Sequence, residues 1–321
     1  MTDTTQIVAR FQGPFGNSSE IKRRTFATGS QKKKSPRVSI VAGLHGNEYD
    51  GIYICNLLTQ RLIRHNEQGS ITGEINIYPV ANPDAVLAGE RSAPYFAEDF
   101  NRQFGSQTNT TLPGQMAQAL FKDIQERSDY VFDIHASNLH LAELPQIRIL
   151  EKHRRKLIPL AQMCNTDILW VHPLGPVYES TLAYNLNRNG IPALVIETGI
   201  CLRIHQEYCF QILQGLLNFL RKVGCLKAQE NTPDFKTPQT LNPDQVVIIQ
   251  AKKAGLFIPR IALGKEVQSG DWIGELIDPL SEQEPEPVFS PACGLLFTLR
   301  QHPLTRPGST LARIALKPHE D

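Results

Sequence analysis

Between residues 37 and 223 the chain alternates short apolar runs with longer segments whose apolar positions recur every three or four residues. The runs "RVSIVAG" (37–43), "EINIYPV" (74–80), "YVFDIH" (130–135), "QIRIL" (146–150), "DILWVH" (167–172) and "ALVIETG" (193–199) have the length and content of buried strands. The segments "EYDGIYICNLLTQRLIRH" (48–65), "LPGQMAQALFKDIQER" (112–127), "KHRRKLIPLAQMC" (152–164), "STLAYNLNRN" (180–189) and "QEYCFQILQGLLNFLRKV" (206–223) carry helical periodicity. Glu179 and Ser180 stand where they could cap the fourth of these helices. Strands alternating with helices predict an α/β fold for residues 1–225, with a mixed, mostly parallel sheet and helices on both faces.

The pattern changes after residue 225. Residues 226–244 are polar, hold three prolines and lack helical periodicity, which predicts a linker. Residues 245–321 show short β-type runs separated by Gly-containing turns and predict a small C-terminal all-β domain, barrel-like in outline. The stretch "GKEVQSGDWI" (264–273) loosely resembles biotinyl and lipoyl barrels. The carrier lysine of such barrels is missing from the corresponding turn, "SPACGLL", so a structural module or active-site rim is expected there.

Composition narrows the function classes. Lys plus Arg number 33 against 32 Asp plus Glu, so there is no electrostatic reason to expect nucleic acid or an anionic membrane as partner. The basic cluster "QKKKSPR" (31–37) reads as a solvated turn. No apolar run approaches about eighteen residues, and the N-terminal stretch lacks the charge and apolar core of a secretory signal. The six cysteines are dispersed without a CxxC pair, which suits free thiols in a reducing cytoplasm.

The chemically loaded segments "GLHGNE", "ANPDA", "DIHAS" and "IETG" all follow strand ends, where α/β folds bind ligands. His45 and Glu48 are three apart across a loop-to-helix junction and can face one point. His135 closes a buried run on another strand, and Asp133 lies two residues back on the same face. Imidazole and carboxylate are zinc ligands, and three of them leave a position open for water. Glu197 ends an apolar strand, where burial raises a carboxyl pKa towards the range useful for proton transfer. Arg91 lies ten positions before the Asn101–Arg102 pair in a Gly- and Pro-punctuated loop, and a guanidinium matches a carboxylate with two parallel hydrogen bonds.

In their order, "HGNE", "ANPDAVLAGER", "EDFNRQF", "DIH" and "ALVIETG" resemble the succinylglutamate desuccinylase/aspartoacylase family, a branch of the zinc carboxypeptidase superfamily. The resemblance spans roughly residues 37–225 and implies a zinc carboxypeptidase-like fold with one Zn2+ per chain held by His45, Glu48 and His135. It implies Glu197 as the catalytic carboxylate, Arg91 beside the developing oxyanion, and Asn101 with Arg102 on a substrate carboxylate. The implied activity is removal of an acyl group from a small N-acyl amino acid by metal-bound water. A carboxypeptidase acting on a peptide or cell-wall fragment, or an inactive binding protein of the same fold, stands behind it. The substrate is the one partner expected, with a homo-oligomer possible. Arg188 is expected on a helix surface, Arg203 stays open for a substrate acid, and His140 and His172 belong to none of the matching motifs.

Overall fold

In the computed structural model, which describes residues 2–28, 35–96, 98–105, 110–228, 235–282 and 284–317, the apolar runs lie side by side in one sheet. Its strands in the first part of the chain are β1 (Thr2–Gln12), β2 (Ser18–Ala27), β3 (Arg37–Ala42), β4 (Glu74–Tyr78), β5 (Tyr130–Ala136), β6 (Leu141–Leu150), β7 (Ile168–His172), β8 (Ala193–Gly199) and β9 (Gln239–Leu241). Between them run α1 (Tyr49–Glu67), α2 (Pro83–Ala88), α3 (Leu112–Arg127), α4 (Arg154–Ala161), α5 (Leu182–Arg188) and α6 (Gln206–Lys222). The centre, in the order β4-β3-β5-β8, is parallel. Outside it β1, β2 and β6 join antiparallel and β7 joins β6 parallel, so among the described residues up to 225 the sheet is mixed, with four of its seven strand pairings parallel. The hairpin β1–β2 supplies one of the antiparallel pairings, and its alternation is too polar to stand out in sequence.

Helices cover both faces, as the alternation predicts. On one face Ile54, Leu58 and Leu62 of α1 and Cys209, Ile212, Leu213 and Leu216 of α6 pack over Phe132, Ile134 and Ile196. On the other, Met116, Leu120 and Ile124 of α3 and Leu182 and Leu186 of α5 pack over Val41, Val131 and Ala193. Strand pleating divides β5 between the two: Phe132 and Ile134 enter the first core, while Asp133 and His135 turn towards the α5 side. The start of α5 corrects the capping expectation. Its cap is Thr181, whose hydroxyl accepts from the Tyr184 N–H at 3.4 Å, and neither Glu179 nor Ser180 takes that role.

From Val246 the described chain is strand, turn and loop: β10 (Val246–Gln250), β11 (Gly255–Pro259), β12 (Glu266–Val267), β13 (Trp272–Ile277), β14 (Glu286–Phe289), β15 (Gly294–Arg300), β16 (Leu304–Thr305) and β17 (Thr310–Leu316). Four of these form a separate sheet, β14-β13-β11-β16. Hydrogen bonding does not stop at the expected boundary. β15 pairs antiparallel with β6, and β9, inside the expected linker, pairs with β7. An apolar cluster of Leu144, Ile168, Trp170, Leu241, Phe297 and Ala315 ties the two parts together. Lys32, Lys33 and Lys34 of the basic cluster, and residues 229–234 of the linker, lie outside the described residues.

Candidate active site

The loop after β3 is built around two glycines. Gly43 has φ +68°, which a side chain rarely adopts, and it redirects the chain at the strand end. At Gly46 a Cβ would come within 1.9 Å of the Ala85 carbonyl carbon, so only glycine lets the loop press against α2. His45 precedes that contact, and Glu48 caps α1 with an extended backbone. The result brings together His45, Glu48 and His135, whose ligand atoms all lie within 4.8 Å of one another. All three are buried.

In this arrangement the Glu48 carboxylate accepts from both rings. His45 Nδ1 is 2.7 Å from Oε1, and His135 Nδ1 is 2.9 Å from Oε2, which also accepts from the Ala136 N–H at 3.1 Å. Burial alone would raise the Glu48 carboxyl, but the two imidazoles outweigh it and bring it down to about 2. Burial opposes charge on His135 as well, yet Asp133 and Glu48 carry it well above the usual imidazole value. His45 is raised against its burial by Glu48 and Asp99. The trio is thus an anion enclosed by groups drawn towards positive charge. Two nitrogens and one carboxylate, all buried, form a donor set that suits a divalent ion of the zinc type.

The outer ring nitrogens face carboxylates. His45 Nε2 is 3.0 Å from Asp99 Oδ1, and His135 Nε2 is 3.0 Å from Asp133 Oδ1. Both Asp133 oxygens are buried without a hydrogen bond, although Oδ1 stands at ion-pair distance from the ring. Such partners fix which nitrogen of a metal-bound histidine faces the ion. Asp99 also accepts from Arg91 Nη2 at 2.8 Å and caps the turn that begins at Phe100. Arg91 Nη1 stands 3.5 Å from Glu48 Oε1.

Glu197 lies on β8 directly beside His135 in register. Its side chain is 15% exposed, and burial raises its carboxyl above the usual value against the pull of Arg148 and His135. Asn101 Nδ2 is 3.4 Å from His135 Nε2, and Asn101 Oδ1 accepts from the Leu182 N–H. Arg102 donates to the Asn101 carbonyl and has no carboxylate partner among the described residues. These residues, Arg91 and the trio line one cavity of about 230 Å³, which continues past Arg148 to His153, His172 and Tyr178.

All seven residues singled out from the sequence therefore line that cavity. Arg188 and Arg203 are exposed and do not, which settles Arg188 on its helix surface. His172 lines the cavity without joining the trio, and His140 is exposed, beside His302. The motifs of the sequence single out neither Asp99 nor Arg148. Asp99 sits inside "EDFNRQF", and Arg148 interrupts the apolar residues of "IRIL" (147–150), a charge in a buried run that marks it out. All six cysteines are free thiols.

An α/β sheet with a histidine–carboxylate trio at its strand ends is the frame on which the sequence comparisons fall. Residues 34–223 match the family described as succinylglutamate desuccinylase/aspartoacylase catalytic domain, and the chain belongs to that family. It is 25% identical to the N-alpha-acetyl-L-2,4-diaminobutyric acid deacetylase of Halomonas elongata over 291 residues, covering 89% of this chain and 83% of the relative. It is 29% identical to the aspartoacylase of Xenopus tropicalis over 118 residues, 33% of this chain and 35% of the relative. The crystal structure of a succinylglutamate desuccinylase/aspartoacylase from Rhodobacter sphaeroides superposes with a TM-score of 0.80 at 21% identity, covering 100% of this chain and 97% of that one. Among the described residues no helix is long and apolar enough to cross a membrane.

Proposed function

We propose that the chain is a zinc-dependent deacylase that hydrolyses the amide of a small N-acyl amino acid carrying a free carboxylate. The observation that carries this reading is the convergence of His45, Glu48 and His135 on one buried point, with Glu197 on the adjacent strand. The Halomonas elongata relative is named for removing an acetyl group from a diamino acid, so N-acetylated diamino acids head the substrate panel. A zinc ion held by His45, Glu48 and His135 would supply a water of near-neutral pKa and a Lewis acid for the scissile carbonyl.

The other residues act around that centre. Glu197, with its raised pKa, accepts the proton of the attacking water and returns it to the leaving amine. Arg91, steadied by Asp99, places positive charge where the carbonyl oxygen becomes negative. Arg102, free of any carboxylate among the described residues, pairs with the substrate carboxylate, and Asn101 stands beside it. Asp99 and Asp133 hold the outer nitrogens of the two rings and keep each Nδ1 turned inward.

Metal analysis together with an amine-release assay on N-acetyl amino acids tests the proposal. Stoichiometric zinc and turnover of at least one such substrate are expected, with turnover abolished by chelation and restored by zinc. Turnover that persists in the metal-free protein would remove the reading. Glu197→Gln should keep its zinc and lose about a thousandfold in kcat.

A further inference from the structure

Behind the cleft wall a second group of charges runs through the sheet. Glu143 on β6 is 1% exposed and accepts from three strands. Arg148 Nη2 reaches its Oε2 at 2.9 Å and Gln146 Nε2 reaches the same atom at 2.7 Å, both from β6. Arg313 Nη1, from β17, reaches its Oε1 at 2.7 Å, and Thr298 of β15 donates to that oxygen at 3.5 Å. On the cleft side Arg148 Nη1 stands 3.5 Å from Glu197 Oε1. Charges of opposite sign thus alternate from Glu197 through Arg148 and Glu143 to Arg313. Both guanidiniums lie over the Trp170 ring, Arg148 at 5.8 Å and Arg313 at 5.3 Å from its centre.

Stability does not by itself call for this array. A buried charge network is often replaced by apolar side chains with little loss, and the Nε atoms of both arginines are buried without a hydrogen-bond partner. What the array does achieve is a guanidinium clamped from behind, presented to Glu197 at a fixed place. We infer that Arg148 is a positioning residue for Glu197, and that the C-terminal strands set its place through Arg313 and Glu143. The inference rests on reading Glu197 as the proton-transferring carboxylate. It gives the β-rich C-terminal part a role in turnover rather than only in covering the sheet.

The test uses the full-length zinc protein, with kcat, KM and metal content measured for Arg148→Ala, Arg313→Met and Glu197→Gln. Arg148→Ala should lose about a hundredfold in kcat, the scale of a misplaced reacting group, with KM and zinc content close to wild type. Added guanidinium ion should restore much of the lost kcat, while added ammonium should not, because only the planar fork fits the gap. Arg313→Met should lower kcat in the same selective way, by about tenfold, and Arg313→Lys should recover most of it. A wild-type kcat in Arg148→Ala, or a loss that appears in KM alone, overturns the positioning role. Loss of zinc together with activity and without guanidinium rescue also overturns it, since it marks a scaffold residue. A wild-type kcat in Arg313→Met overturns the link to the C-terminal strands. Near-normal turnover in Glu197→Gln refutes the underlying proposal instead, which keeps the two failures apart.

Discussion

Single residues decide whether the trio can form. Gly46→Ala forces a methyl group into the Ala85 carbonyl, and backbone cannot step aside as a flexible side chain would. The loop bearing His45 must therefore shift, and zinc affinity should fall by at least about tenfold in a competition assay with a chromophoric chelator. Asp99→Ala leaves the loop intact and removes the carboxylate that orients the outer nitrogen of His45. It should weaken zinc binding by about 10- to 100-fold in the same assay, and an affinity equal to wild type would show that Asp99 does not orient the ring. Of the residues readable from sequence, His45, Glu48, His135 and Glu197 share one property: each is a chemically reactive type next to an apolar run. Asp99 escaped because acids in polar loops are common, and its partner lies 54 positions away. Arg148 escaped because nothing near it in sequence reveals the partner on β8.

At the scale of elements, periodicity reveals what is helix and what is strand, but it does not reveal which way a strand runs. The directions of β3, β4, β5 and β8 followed from the helices between them. The β1–β2 hairpin and the antiparallel entry of β6 had no such local cue. That hairpin is tied to α3 by a buried charge. Arg23 on β2, 3% exposed, pairs with Asp123 on α3, which also accepts from Tyr78 at 2.7 Å. Burial would raise the Asp123 carboxyl, but the bonds from Arg23 and Tyr78 outweigh it and hold it below the usual value. Its contribution to stability is therefore complete above the unfolded value of about 4 and is lost as the pH falls through the lower folded value. Asp123→Ala should lower unfolding stability by about 3 kcal/mol in urea at pH 7, because Arg23 is left buried and unpaired. The gap between variant and wild type should narrow as the pH falls through that lower folded value.

At the scale of the whole molecule, the first two-thirds of the chain supplies the residues of the proposed site, and the last third joins the same sheet through β15. The compositional break near residue 226 was legible, since helices stop there. The union was not, because pairing between β6 and β15 spans more than 150 positions and leaves no periodic trace. One stretch of β7 shows what that union offers to an experimenter. The protein has two tryptophans, Trp170 and Trp272, and Trp272 is 47% exposed on the outlying sheet. With Trp272→Phe in place, indole emission would come from Trp170 alone, 9% exposed and close to both His172 and the paired guanidiniums. Filling the cleft should then change the intensity or colour of that emission, giving a built-in optical gauge of occupancy that needs no turnover and no added dye.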